Sequence, residues 1–249
     1  MVHPEYRGRG LFSKLGRLLV NRIESEDYQL IFVFPSDESL HIGVRYIKWR
    51  KVCDIPRWTR PLWLLGTSRL SGIAVAASLQ WSAKTDDDLR IELQAPRPER
   101  VSKLAAQCLN TQDSVCMQRD HTWFAWRYHT NSDKNYRWIA TYAGAELTGV
   151  AVWRFDTTSR RANLCELIGN EQSIPVLLDI VLRGAYRRRA RALDFPTNDP
   201  ALIPHLKASG FIRRPGLRFA VRSLDDSLSA EKLHTPEAWR IYGGDFDYY

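Results

Sequence analysis

The chain has 249 residues, of which 44% are hydrophobic and 26% are charged. This composition excludes an intrinsically disordered chain, and the length suffices for one large domain or two small domains with a real core. The formal net charge of +8 suits an anionic partner. Coenzyme phosphates and nucleic acid would both satisfy that charge, so charge alone does not choose between them.

The four cysteines exclude a common metal-binding pattern, because they form no CxxC pair and do not have the spacing of zinc ligands. The longest small-residue and apolar run, residues 72–79, is much shorter than the roughly 20 residues that span a bilayer. The N-terminus lacks the apolar segment of a signal peptide. We therefore expect reduced thiols, no metal, no membrane association and a cytoplasmic protein.

A glycine-punctuated turn followed by a helix opens the chain. Gly8 and Gly10 lack a Cβ, so the backbone can turn sharply there and approach a ligand closely. The apolar positions that follow recur at helical spacing and predict a helix from about Leu11; they are Leu11, Leu15, Leu18, Leu19 and Ile23. Because a helix N-terminus presents unpaired N–H groups and a positive dipole end, this turn predicts a phosphate site.

The residue order of this turn resembles the acyl-CoA pyrophosphate loop of the GNAT superfamily of N-acyltransferases. That pattern is Arg or Gln, two residues, Gly, one residue, then Gly or Ala; Arg7 and Gly10 match it, and Phe12 stands at its last position. The resemblance implies acetyl-CoA as co-substrate, bound by Arg7, Gly8, Arg9, Gly10, Leu11, Phe12 and Ser13. The alternative is an ordinary turn with solvated arginines.

The next segments predict helix–strand–helix order, as in the second half of a GNAT domain. A buried strand is predicted at residues 28–34, a helix at 39–49 and an extended connector or edge strand at 51–65. Further on, we expect a helix or crossover at 66–82, an acidic turn at 86–88 and a helix at 96–108.

A second block of alternating elements begins near residue 120 and resembles a GNAT domain in its order. The predicted elements are an aromatic anchor at 123–128, a hairpin at 137–142 and 147–155, strands at 161–168, 192–195 and 219–222, and helices at 173–191 and 200–209, the last closed by Gly210. The turn at residues 169–171 lacks the glycine–arginine pattern, so we expect this copy not to hold a pyrophosphate. The aromatic, acidic tail at 239–249 is expected to pack over this block.

These resemblances predict a mixed α/β fold with a GNAT-like central sheet flanked by helices. Residues 1–65 are expected to form the C-terminal half of one copy, residues 66–119 a connector with a helix, and residues 120–249 a second, degenerate copy with a C-terminal tail. The family places a strand before the pyrophosphate loop, where this chain has only Met1 and Val2. We therefore expect the first copy to be truncated, either in the reading frame or as a natural remnant.

The general acid is harder to locate than the loop. The family places a Tyr four residues before a Gly–aromatic pair, but this chain has Lys48-Trp49 there, and the Tyr position falls on Val44. Tyr46 is the candidate, although it lies about 200° further around a helix, so a surface role is the alternative. In the second copy the corresponding position is Leu206, next to His205, which is typical of a surface histidine.

For two further groups of residues, a solvent-exposed position without a functional role is the alternative interpretation. His41 lies on the predicted helix after the first strand, and a surface position competes with a place in a substrate cleft. The arginine run at residues 187–191 ends a predicted helix, where cations complement the dipole, so we do not expect nucleic acid as a partner.

Taken with the resemblance, the sequence predicts an acyl-CoA-dependent N-acyltransferase that acetylates a primary amine. The acceptor amine is not identified. The rival hypotheses are a non-catalytic GNAT-like remnant or binding module and, with less support, a basic protein associated with nucleic acid.

Overall fold

A computed structural model describes residues 3–6, 8–26, 28–62, 89–109, 114–130, 134–225 and 230–246. The predictions for Arg7 and for residues 66–82 and 86–88 lie outside this part of the chain. The structure divides into two compact units, each formed by separate stretches of sequence. The first comprises Met1–Ile55 and Pro215–Trp239, and the second comprises Pro56–Arg214 and Arg240–Tyr249.

The described helices and strands alternate along much of the chain. The helices are α1 (Leu11–Glu24), α2 (Asp37–Ile47), α3 (Pro98–Leu109), α4 (His121–Phe124), α5 (Ser173–Arg187), α6 (Ile203–Ala208) and α7 (Ala230–His234). The strands are β1 (Leu30–Val33), β2 (Arg50–Pro61), β3 (Leu89–Glu92), β4 (Val115–Cys116), β5 (Arg137–Ala143), β6 (Glu146–Asp156), β7 (Arg161–Gly169), β8 (Ala192–Pro196), β9 (Ile212–Ser223) and β10 (Trp239–Arg240). A π-helical turn, Ala125–His129, continues α4, and 3-10 turns lie at Pro4–Tyr6, Pro236–Ala238 and Gly243–Asp245.

In the first unit, α1 and α2 accompany strands that include the antiparallel pair β1 and β9. β1 pairs with the end of β9, from Leu30 opposite Ser223 to Val33 opposite Ala220. α1 packs on α2. Gly16 permits that packing, because a Cβ at this position would overlap the side chain of Ile47. The hydroxyl of Ser36 caps α2 by accepting a bond from the backbone N–H of Ser39.

The second unit contains a sheet with the strand order β2-β8-β7-β6-β5-β3. Neighbouring strands are antiparallel at β2–β8, β7–β6, β6–β5 and β5–β3, whereas β7 and β8 run parallel. The β5–β6 hairpin turns through Gly144, which has a φ of 59°. Since parallel neighbours need a crossover, α5 connects β7 to β8.

Helices α3 and α5 both pack on β6 and β7 and bury their apolar faces there. Val101 of α3 and Leu177, Leu178 and Val181 of α5 have no exposed surface. Gly149 of β6 accommodates α5, because a Cβ there would lie 2.6 Å from the Cβ of Ser173. The observed arrangement confirms the predicted mixed α/β fold class with a sheet flanked by helices.

Most predicted elements agree with the structure, and three differ from the prediction at one end. The helix predicted to run to residue 191 ends at Arg187, because Arg189 adopts a φ of 55° and the Ala190 N–H returns to the Ala185 carbonyl at 3.0 Å. The predicted helix at 200–209 is shorter and begins at Ile203. The final strand begins at Ile212, seven residues before the predicted position 219, and continues through Pro215 and Gly216.

Candidate functional site

The turn before α1 has the backbone conformation that its glycines suggest. Gly8 has a φ of 79°, and Gly10, the N-cap residue of α1, has a φ of 68°. Residues that carry a side chain rarely adopt this left-handed backbone conformation. Among the described residues, no other atom lies within 4 Å of an ideal Cβ at either glycine. The turn therefore leaves open space beside the start of the helix.

The N-terminus of α1 offers backbone donors to that space. The Gly10 carbonyl accepts the first helical bond from the Lys14 N–H at 3.0 Å, so the N–H groups of Leu11, Phe12 and Ser13 have no acceptor within the helix. In the described part of the chain, no side chain caps these donors. The first turn also carries no carboxylate to compete with an anion. Such a helix start binds phosphate through its N–H groups and its dipole.

A cation and an aromatic ring lie beside these donors. The guanidinium carbon of Arg9 lies 5.1 Å from the ring centre of Tyr6, and the Tyr6 side chain is half exposed. Phe12 is also exposed at the end of the turn. Arg9 can therefore add positive charge to the same exposed surface as the backbone donors.

Tyr46, the predicted general acid, lies on α2 with 40% of its surface exposed. The guanidinium groups of Arg17 and Arg45 lie 5.6 and 5.2 Å from its ring centre. Val44, at the position that the family gives to the Tyr, is also exposed, as is His41. A catalytic role for Tyr46 stays a prediction.

The second unit differs from the first at the corresponding helix start. The backbone carbonyl and side-chain oxygen of Asn170 both accept from the Ser173 N–H, at 3.1 and 2.9 Å. The Ile174 N–H donates to the Asn170 carbonyl at 3.2 Å, and the Ser173 hydroxyl donates to the Thr148 hydroxyl at 3.0 Å. Asn170 therefore caps the start of α5 from within the chain. At the Tyr-equivalent position, Leu206 is fully buried and offers no proton donor.

A buried polar cluster in the second unit was not anticipated from the sequence. Glu166 of β7 and Arg119 are almost completely buried and form an ion pair, with Nε 3.0 Å from Oε2. The Arg119 Nη2 atom also lies 2.8 Å from Oδ1 of Asp245. The Tyr128 hydroxyl donates to Glu166 Oε1 at 2.8 Å. The one available signal was a glutamate within the apolar run of β7.

Burial sets the protonation behaviour of this cluster. Burial raises the pKa of Glu166 more than the nearby Arg119 charge lowers it. The pKa of the Tyr128 phenol is raised well above its usual value by burial and by the Glu166 charge. Burial by itself would lower the pKa of Arg119, but the charges of Asp245 and Glu166 outweigh it and raise that pKa. Arg119 is therefore a permanent buried cation.

Residues 241–246 of the C-terminal tail pack into the second unit, as predicted for the tail; residues 247–249 lie outside the described part of the chain. The Ile241 N–H donates to Asn198 Oδ1 at 2.9 Å, and the Tyr242 hydroxyl donates to the Asp199 carboxylate. The buried Arg127 side chain donates from Nε to the Gly244 carbonyl at 2.9 Å and from Nη2 to the Phe246 carbonyl. The tail is thus held by both backbone and side-chain contacts.

Two other features are absent from the part of the chain that the structure describes. It contains no group of three or more His, Cys, Asp or Glu residues placed to hold a metal ion. None of its helices is both long and apolar enough to cross a membrane.

The sequence matches no protein-family model, and no curated protein sequence matches it either. Solved structures do resemble the fold. A conserved Enterococcus faecalis protein of unknown function is 11% identical, with a TM-score of 0.63, over 90% of this chain and 52% of its own. A GCN5-related N-acetyltransferase from Anabaena variabilis is 13% identical, with a TM-score of 0.62, over 90% of this chain and 53% of its own. A tandem GNAT protein from the clavulanic acid biosynthesis pathway is 16% identical, with a TM-score of 0.53, over 91% of this chain and 74% of its own.

These likenesses establish the fold, which the chain shares with the structures of a GCN5-related N-acetyltransferase and a tandem GNAT protein. The resemblance stated from the sequence is confirmed at this level, and a tandem GNAT protein is among the similar structures. The chain spans about half the length of the first two structures.

Proposed function

We propose that the chain is an acyl-CoA-dependent N-acyltransferase that transfers an acetyl group from acetyl-CoA to a primary amine. The observation that supports this most directly is the start of α1. Two glycines in left-handed conformation precede a helix whose first N–H groups have no side-chain cap among the described residues. The GNAT fold supports this interpretation of the turn, because the residue order of the turn resembles the pyrophosphate loop of that family.

In this proposal the N–H groups of Leu11, Phe12 and Ser13 bind the pyrophosphate of the coenzyme. Gly8 and Gly10 let the backbone approach it, and Arg7 and Arg9 add positive charge. The amine attacks the thioester carbon, a C–N bond forms, and the C–S bond breaks. The proton lost by the amine goes to a base or to water, and the departing thiolate takes a proton, for which Tyr46 is our candidate donor.

Calorimetric titration with acetyl-CoA tests the coenzyme site. We expect Gly10→Asp to weaken binding at least about tenfold, because it places a carboxylate beside the phosphates and can cap the helix itself. Gly10→Asn has nearly the same size without the charge and should weaken binding less. Gly144→Asp is the matched control, since Gly144 also has a positive φ and open surroundings among the described residues. Equal affinity in wild type and Gly10→Asp would refute the assignment.

A coenzyme-binding module without turnover is the second candidate. It is favoured by the position of Tyr46, whose ring is contacted by two guanidinium groups, and by Val44 at the family's Tyr position. Thiol release from acetyl-CoA with a panel of primary amines separates the two. Turnover that falls in Tyr46→Phe supports the enzyme, whereas coenzyme binding without thiol release for any amine supports the module.

A further inference from the structure

The second unit contains a crevice between two parallel strands that separate. β7 and β8 pair from Arg161 opposite Ala192 to Asn163 opposite Asp194. Beyond this pairing, β7 continues to Gly169 and β8 continues to Pro196. In open sheets, ligands bind in the crevice beyond the carboxyl ends of such strands. The space beside the second half of β7 is therefore where a ligand of this unit is expected.

The C-terminal segment Ile241–Phe246 fills this space, and we name it the tail strap. Its first residue is bonded to Asn198, which follows β8. Gly243 lies against the Leu164 carbonyl and Cys165 of β7, and Gly244 lies against the Glu166 carboxylate. The strap thus extends from the end of β8 to the middle of β7.

The tail strap fits the crevice because Gly243 and Gly244 carry no side chain. A Cβ on Gly243 would overlap the Leu164 carbonyl oxygen, which is backbone and cannot move away as a side chain can. A Cβ on Gly244 would overlap the Glu166 carboxylate and the Tyr128 hydroxyl. Glycine at both positions is therefore a steric requirement of the crevice.

The crevice also presents buried donors that match the acceptors of the strap. Arg119 binds the Asp245 carboxylate, and its side chain is only 1% exposed. Arg127 donates to the carbonyls of Gly244 and Phe246. Because a buried cation without a partner is costly, these arginines favour an occupant with a carboxylate and free backbone carbonyls.

We propose that this crevice is a peptide-binding site for a Gly-Gly-Asp segment folded into a 3-10 turn, which the tail strap occupies in the same chain. The second unit therefore holds a segment of its own chain where its strand arrangement would otherwise admit another ligand. The Asn170 side chain already takes up one phosphate donor at the start of α5, the Ser173 N–H, which agrees with a crevice that does not bind phosphate. This inference is independent of acyl transfer.

The test uses the full chain with the strap displaced by Gly243→Val. A fluorescent peptide with the sequence of residues 239–249 should bind this variant at least tenfold more tightly than wild type, whose crevice is filled. The same peptide carrying Asp245→Ala should lose at least tenfold in affinity. Gly144→Val, in an open turn of the same unit, should behave like wild type. Equal peptide binding by wild type and Gly243→Val, including no binding by either, would overturn the proposal.

A second measurement decides the matter if Gly243→Val does not fold. In the full chain carrying Asp245→Asn, hydrogen exchange at the amides of residues 241–246 should be at least tenfold faster than in wild type, while exchange in β6 and β7 is unchanged. No change, or equal acceleration throughout the unit, would show that the segment is only part of the core. Acetyl-CoA affinity in the same samples reports separately on the first unit.

Discussion

At the level of single residues, the strongest energetic demand comes from Arg119. Its guanidinium group serves two buried carboxylates, Glu166 and Asp245. Placing charges in a protein interior costs several kcal/mol per ion before pairing, so the cation stabilises the fold mainly by preventing two uncompensated anions.

Arg119→Met should therefore lower the free energy of unfolding by about 3–5 kcal/mol, because it leaves Glu166 and Asp245 buried without their cation. Urea unfolding followed by circular dichroism measures this difference. The control is Arg183→Met, which removes a partly exposed i,i+4 pair with Asp179 on α5 and should cost less than about 1 kcal/mol. Similar losses in the two variants would contradict this account of the cluster.

The raised pKa of Glu166 leads to a second prediction, which concerns how the stability of the fold depends on pH. The usual pKa of a glutamate side chain is 4.5. Because the pKa of Glu166 is raised in the folded state, the folded state binds this proton more tightly than the unfolded state does. The stabilisation from this group is complete below about pH 4.5 and is lost as the pH rises through the folded pKa. Wild type should therefore lose stability over this range relative to Glu166→Gln. Denaturant midpoints of both proteins from pH 4.5 to 8 test this, and parallel profiles would argue against it.

At the level of elements, two helix starts explain why the two units differ. α1 begins after a left-handed glycine and has no side-chain cap among the described residues, whereas the Asn170 side chain, just before α5, accepts a bond from the Ser173 N–H. A side chain thus takes up one of the first N–H donors at α5, whereas none does so at α1 among the described residues.

Elements with strong local patterns were predictable from the sequence. The apolar spacing located the start of α1, and two strand-like runs around a Gly-containing loop located the β5–β6 hairpin. The spacing did not predict exposure, because Leu15, Leu18 and Leu19 of α1 are 62, 65 and 59% exposed. Burial of an apolar helix face depends on what packs against it, and that is not a local property.

The turn of the candidate site was predictable for the same local reason, since glycine at positions 8 and 10 signals a left-handed backbone. The buried cluster was not. Arg119, Glu166 and Asp245 are far apart in sequence, and only the fold brings them together. A lone glutamate in an apolar strand indicates a buried partner without identifying it.

At the level of the whole molecule, each unit draws on separate stretches of the chain. β2 and β9 each pass from one unit to the other, and the tail returns to the second unit after Trp239. Domain boundaries drawn along the sequence cannot show that each unit contains distant segments, because strand pairing brings those segments together. The two proposals assign a different role to each unit: the first binds the phosphates of the coenzyme, and the second binds the tail strap.

The central claim is that acetyl-CoA binds at the start of α1. Hydrogen exchange of the wild-type chain with and without acetyl-CoA measures this directly. The account predicts slower exchange at the amides of residues 8–13 and unchanged exchange at residues 170–174, where Asn170 already caps α5. Protection at residues 170–174 with none at residues 8–13 would contradict the account and assign the coenzyme to the second unit.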